Sequence, residues 1–284
     1  MTAAPVTTCY RHPDRETGRH CTRCGKPACS DCLRQAAVGS HCVECVKAAQ
    51  PAASEQVRRA LKGQDLIATK AIIAINVVAF VAFAIIDASY KVPGDLHSRD
   101  FGLNAFAVNQ GEWWRIFSSS VLHFGVFHLF FNMLVLWLVG KVLEPGAGAL
   151  RFTLIYVVSV IGGAVGALWL SPNALTGGAS GGVFGVAAAA TLVLWRQGVR
   201  FWDTGFGPLL AINLFLNVTI MSNVSVGGHL GGLLAGAAAA EIMLQARKIE
   251  KPKLGLAGAA GLGIALFVTS LAVAAALAPV FPGR

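Results

Sequence analysis

A single serine stands among five glycines in TGGASGGVFG, residues 176–185. Glycine neighbours keep the approach to a hydroxyl open, and a hydroxyl becomes a nucleophile when a base within about 2.6–3.2 Å takes its proton. The candidate base is His229, which lies in a second glycine run, VGGHLGGLLAG. Gly178 and Gly182, Gly181 and Gly185, and then Gly228, Gly232 and Gly236 repeat at intervals of four residues around Ser180 and His229. That pattern lets two helix backbones come close enough for a Ser-His contact. For either residue alone, glycine packing around a buried, satisfied polar group is the plainer reading; the two together favour a dyad. No carboxylate is placed to complete a triad. Glu241 is twelve residues beyond His229, about 18 Å along a helix, and Glu144 and Asp203 are expected in the inner loops.

His128 and Asn132, at i and i+4, share a helix face and aim two donors at one spot. With the backbone N–H of Ser180 they would form an oxyanion hole; the alternative for the pair is interhelical hydrogen bonding. His123 is five residues before His128 and is expected to point elsewhere. Gly178-Ala-Ser180-Gly-Gly182 also fits the G-x-S-x-G nucleophile elbow. That motif requires a strand before the serine, and here an apolar span precedes it.

A second chemistry occupies the amino-terminal block CYRHPDRETGRHCTRCGKPACSDCLRQAAVGSHCVEC, residues 9–45, which holds all seven cysteines of the chain. Cys9 and His12, Cys21 and Cys24, Cys29 and Cys32, and Cys42 and Cys45 are each separated by two residues. Eight thiolate or imidazole donors make two tetrahedral N/S sites, the coordination that structural Zn2+ takes. A disulfide framework would need an oxidising compartment and an even cysteine count, and His12 argues against an iron–sulfur cluster. His20 and His41 each precede a ligand cysteine and are expected on the surface.

These residues must be carried by elements suited to lipid. The chain is 55% hydrophobic and 13% charged with a mean hydropathy of +0.62, which excludes a soluble globule. The net charge of +9 is spread over the joints between apolar runs, where it sets topology rather than binding nucleic acid. A helix crossing a bilayer needs about 20 apolar residues. Seven such runs are expected, at 70–88, 121–140, 151–170, 178–195, 206–222, 226–245 and 255–278. Domains are expected at 1–48 for the Cys-rich module, 49–69 for a linker and 70–284 for the membrane part. No basic-then-apolar signal peptide opens the sequence. The concentration of Lys and Arg before the first run and after the second, fourth and sixth places the amino terminus in the cytosol and the carboxy terminus outside. The second, fourth and sixth spans then enter from the outer face, with Ser180 and His229 just below it and His128 about two turns down.

Trp114-Arg115, His123-x4-His128-x3-Asn132, Gly178-x-Ser180-Gly181 and His229-x2-Gly232-x3-Gly236 together resemble the rhomboid family of intramembrane serine proteases. The resemblance implies an all-α polytopic membrane protein with a rhomboid-like six-helix core and one extra carboxy-terminal transmembrane helix, preceded by a small zinc-stabilised cytosolic domain. It implies Ser180 as nucleophile, His229 as general base, and His128, Asn132 and the Ser180 amide as the oxyanion hole. An aromatic ring four residues after the serine, here Phe184, would pack on the histidine. No cofactor is needed for catalysis. Substrates would be membrane proteins cut in or beside a transmembrane helix, with the protein lying in the plasma membrane. The Cys/His block resembles the B-box type of cross-braced zinc finger, in which alternating pairs share a metal and the module binds protein partners. Two other readings compete: an inactive rhomboid-like chaperone or binding protein, against which both Ser180 and His229 speak, and a zinc-regulated transporter, weakened by the lack of paired carboxylates in the spans.

Overall fold

The computed structural model describes residues 7–36, 38–49, 65–86, 100–199 and 225–278. The chain divides into two compact units, Met1–Arg59 and Ala60–Arg284.

In the first unit, β1 (Thr8–Cys9) pairs antiparallel with β2 (His12–Glu16), with Cys9 opposite His12. The first two-residue spacing is thus a hairpin turn that sets a thiol beside an imidazole. A short 3-10 helix, Ser30–Cys32, leads into β3 (Leu33–Gln35), which pairs with β4 (Ser40–Cys42) so that Leu33 faces Cys42. Helix α1 (Val43–Ala49) follows directly. The buried core of this unit is Cys9, Ala28, Cys29 and Cys32, with Tyr10 and Leu33 packed against it. A core of that size does not offset chain entropy unaided, the usual reason that small domains carry metals or disulfides.

The second unit is helical: α2 (Ile67–Ile86), α3 (Ala105–Asn109), α4 (Arg115–Ser118), α5 (Val126–Ala147), α6 (Ala149–Leu170), α7 (Ser180–Arg196), α8 (Val226–Lys248) and α9 (Pro252–Leu277). Among the described residues, α2, α5, α6, α8 and α9 are long and apolar enough to cross a membrane, and α7 is a shorter apolar helix. These match six of the seven expected spans; the fifth, 206–222, lies outside the described residues. The second span begins later than the sequence suggests. Residues 119–121 form a 3-10 turn, Leu122 is extended, and Gly125 at φ 106° precedes the helix.

Glycines interlock three helices. A Cβ on Gly166 of α6 would strike the Gly227 carbonyl, and one on Gly231 of α8 the Gly162 carbonyl. On the other side of α8, Gly232 and Gly236 lie against the backbones of Gly181 and Gly185 of α7. The contact expected between the fourth and sixth spans is present, and α6 joins it.

Polar groups fix the ends of these helices. Glu144 lies in α5, not in a loop as its flanking residues suggest, and is only 2% exposed. Its carboxylate accepts from the Ala68 and Thr69 amides at 2.8 and 2.9 Å and from the Thr69 hydroxyl at 2.5 Å, so α5 caps the amino terminus of α2. Arg196 of α7 donates to both carboxylate oxygens of Glu241 on α8, at 2.6 and 2.7 Å.

At the other end, the segment from 100 to 125 folds over the helices. Asn104 caps α3, and Arg115 donates to the Gly102 carbonyl at 2.7 Å and to Glu112. Phe267 of α9 stacks on Phe117 and meets Trp113 edge-on. Leu103 and Thr176 exchange backbone hydrogen bonds of 2.8 and 2.9 Å. This segment is thereby fastened to the residues that lead into Ser180.

Candidate active site and metal centres

Ser180 is the first residue of α7, and His229 lies in the first turn of α8, where Ser225 accepts from the Gly228 amide at 3.0 Å. Both line a cavity of about 240 Å³, together with His128, Ser119, Gly181 and Gly228. The first amides of α7 have no partner within the helix and are free to donate to an anion. The Phe184 ring stacks on His229, centroids 4.3 Å apart at 22°, in the position the resemblance implies for an aromatic neighbour. Among the described residues, no hydrogen bond joins Ser180 Oγ to His229.

His128 reaches the cavity in a defined protonation state. The Phe124 amide donates to its Nδ1 at 3.3 Å, so the neutral ring carries its proton on Nε2. Gly178 makes room for that edge. Its φ is +126°, and a Cβ there would lie 2.9 Å from His128 Nε2 and 3.8 Å from Ser180 Oγ. Asn132 shares the helix face of His128 but does not line the cavity; its Nδ2 donates to the His128 carbonyl at 2.9 Å. The two donors expected at one spot are therefore one donor and a buried neighbour.

His123 corrects a second expectation. It does not point elsewhere: it is 0% exposed and meets His128 edge-on, ring centroids 5.1 Å apart. Counting helical turns fails for this residue because it precedes the helix. Gly125, the break before α5, was the available sign.

In the first unit the ligand candidates gather into two sets, Cys9, His12, Cys29 and Cys32, and Cys21, Cys24, Cys42 and Cys45, each with donor atoms within 4.8 Å of one another. First and third pairs combine, and second and fourth, the cross-braced order. Neither His20 nor His41 joins a set. Burial raises the Cys21 thiol, but the amide of Cys42, at 3.1 Å, and backbone hydrogen bonds at Cys24 and Arg23 prevail and bring it down to about 6. Cys9 is likewise brought down to about 6 against its burial, by backbone hydrogen bonds at Cys29 and Arg11. In the same sets burial and neighbouring thiols push Cys32 up to about 11, and hydrogen bonding with Cys24, with burial, pushes Cys45 up to about 12. Three thiolates in the first set and four in the second, this close, repel one another unless a cation sits among them. The donor set fits a tetrahedral Zn2+.

Residues 110–246 match the family model described as Rhomboid domain. The chain is 36% identical over 154 residues to the Rhomboid protease GluP of Bacillus subtilis (strain 168), covering 53% of this chain and 29% of that one. It is 34% identical over 135 residues to RHOMBOID-like protein 1 of Arabidopsis thaliana, covering 46% and 35%. With Rhomboid-like protease 1 of Toxoplasma gondii it shares 32% identity over 138 residues, covering 45% and 46%. The match thus spans less than half the length of each of these relatives. The chain carries a rhomboid domain. It is a multi-pass membrane protein with a small Cys/His-rich module ahead of that domain.

Proposed function

We propose that this protein is an intramembrane serine endopeptidase that cuts transmembrane protein substrates in or near their membrane span. The observation that carries the reading is one cavity lined by Ser180, His229 and His128. In the proposed reaction His229 takes the proton of Ser180 Oγ as that oxygen attacks the scissile carbonyl. The tetrahedral oxyanion accepts from His128 Nε2–H and the Ser180 amide. Asn132 acts in support, holding the His128 turn through its hydrogen bond to the His128 carbonyl. His229 returns its proton to the departing amine, leaving an acyl-enzyme, and then activates the water that hydrolyses it. The Phe184 ring keeps His229 in plane. Catalysis needs no cofactor. Basic residues at 141, 151, 196, 247 and 248 support an inward face at that end of the helices, with the amino terminus cytosolic, the carboxy terminus outside and the cavity open to the outer face of the plasma membrane. Two Zn2+ ions cross-link the first unit, which docks a cytosolic protein partner.

The test is labelling and cleavage by the full chain in membranes. A fluorophosphonate should label wild type at Ser180, and Ser180→Ala and His229→Ala should each lose cleavage of a transmembrane substrate while remaining folded. The missing Ser180–His229 hydrogen bond favours a second reading, an inactive rhomboid-like binding protein. A wild type that takes no label and retains substrate without cutting it would establish that instead.

A further inference from the structure

His123 is buried beside the candidate site, and the proposed reaction gives it no part. Its two ring nitrogens face two different backbone groups. The Ala179 amide donates to Nε2 at 3.4 Å, which requires that nitrogen to be unprotonated. Nδ1 lies 3.3 Å from the Val121 carbonyl and, carrying the proton, donates to it. The backbone thus holds His123 neutral in the Nδ1–H form. His128, with the Phe124 amide on its Nδ1, is held in the opposite Nε2–H form. The rings meet edge to face at 5.1 Å. One imidazole therefore absorbs a backbone N–H just where the other presents a ring N–H.

Ala179 directly precedes Ser180, so the hydrogen bond fixes the Gly178–Ala179 peptide, the one immediately before the peptide that carries the Ser180 amide. On the preceding side, the Gly178 amide donates to the Ser119 carbonyl at 2.8 Å. Residues 178 and 179 are thus both tied to the segment from 119 to 123. Without His123, the Ala179 amide would be left buried and unpaired, or would turn toward the cavity and compete with the Ser180 amide for the anion.

Resting on the serine-protease reading, we infer that His123 is a positioning residue for the oxyanion site: it takes the Ala179 amide out of the cavity and so aims the Ser180 amide into it, while its ring braces His128. Glutamine can place an acceptor oxygen near the position of Nε2; leucine fills the space without one. His123→Leu should lower kcat by about 10²-fold, the scale of a misplaced catalytic group, with KM unchanged. The rate of fluorophosphonate labelling per folded molecule should fall in step. His123→Gln should recover most of both. Side-chain 15N shifts of the wild type should show a neutral ring protonated at Nδ1 for residue 123 and at Nε2 for residue 128.

Three results would overturn the inference: a His123→Leu variant that melts earlier yet turns over at the wild-type rate per folded molecule, a glutamine variant as slow as the leucine one, or an Nε2–H tautomer at His123. A wild type that takes no label refutes the protease reading itself, a result distinct from these.

Discussion

Gly178 is where backbone conformation and site chemistry meet. A φ of +126° is strained for any residue with a side chain, and a Cβ there would come within 2.8 Å of the His128 ring. Such strain costs about 1–3 kcal/mol, and the clash falls on the ring edge that would face an oxyanion. Gly178→Ala should therefore slow serine labelling and turnover far more than it lowers the melting temperature, since the strain is local and the helices are untouched. A variant that melts much earlier but labels normally would show that Gly178 serves only the fold. At this scale the convergence of Ser180, His229 and His128 on one cavity was legible, from residue types set among glycines for the first two and from helical spacing for the third. The placement of His123 and Asn132 was not. The i, i+4 rule is right for Asn132, but a shared face does not decide whether a side chain turns to the cavity or back to its own helix carbonyl. For His123 the rule did not apply at all.

Between elements, the close approach of α6, α7 and α8 depends on absent side chains, and the junction of α2 with α5 on one buried carboxylate. Glu144 accepts from two amides and a hydroxyl at the buried amino terminus of α2. Leaving a buried donor unpaired costs about 1–3 kcal/mol. Glu144→Ala should lower the melting temperature in detergent and increase proteolytic access near residue 67, and Glu144→Gln, which keeps an acceptor, should lose less. Equal melting of all three proteins would mean that water replaces the carboxylate. The apolar runs revealed the spans because lipid demands length and hydropathy and little else. Glu144 was misread because a charge followed by Pro145-Gly146 resembles the end of a span. Only the amides of α2, 76 and 75 positions earlier, explain why the helix carries that charge inward. The small sheets of the first unit were hidden for a related reason: metal-ligand spacing overrides strand patterning in so short a segment.

The molecule as a whole joins two units stabilised by different means, glycine-mediated helix packing in one and, on the proposed reading, cation-bridged thiols in the other. Removing the metal should therefore divide their fates. The two ligand sets also differ in access: Cys9, Cys29 and Cys32 are buried, whereas Cys24 is exposed and Cys45 partly so. A chelator attacks a metal by displacing one ligand at a time, and an exposed thiolate is the first to be displaced and trapped. For the full chain, elemental analysis should find two zinc ions. Graded chelation with an alkylating agent present should modify Cys24 and Cys45 before Cys9, Cys29 and Cys32, with metal leaving in two steps. Through both steps the thermal transition of the helical unit and its serine labelling should stay unchanged, because no member of either set belongs to that unit. Simultaneous alkylation of all seven cysteines would mean that the cross-braced module opens as one cooperative body. Loss of serine labelling at the first step would mean that the two units are coupled, and that the metal module governs the membrane site.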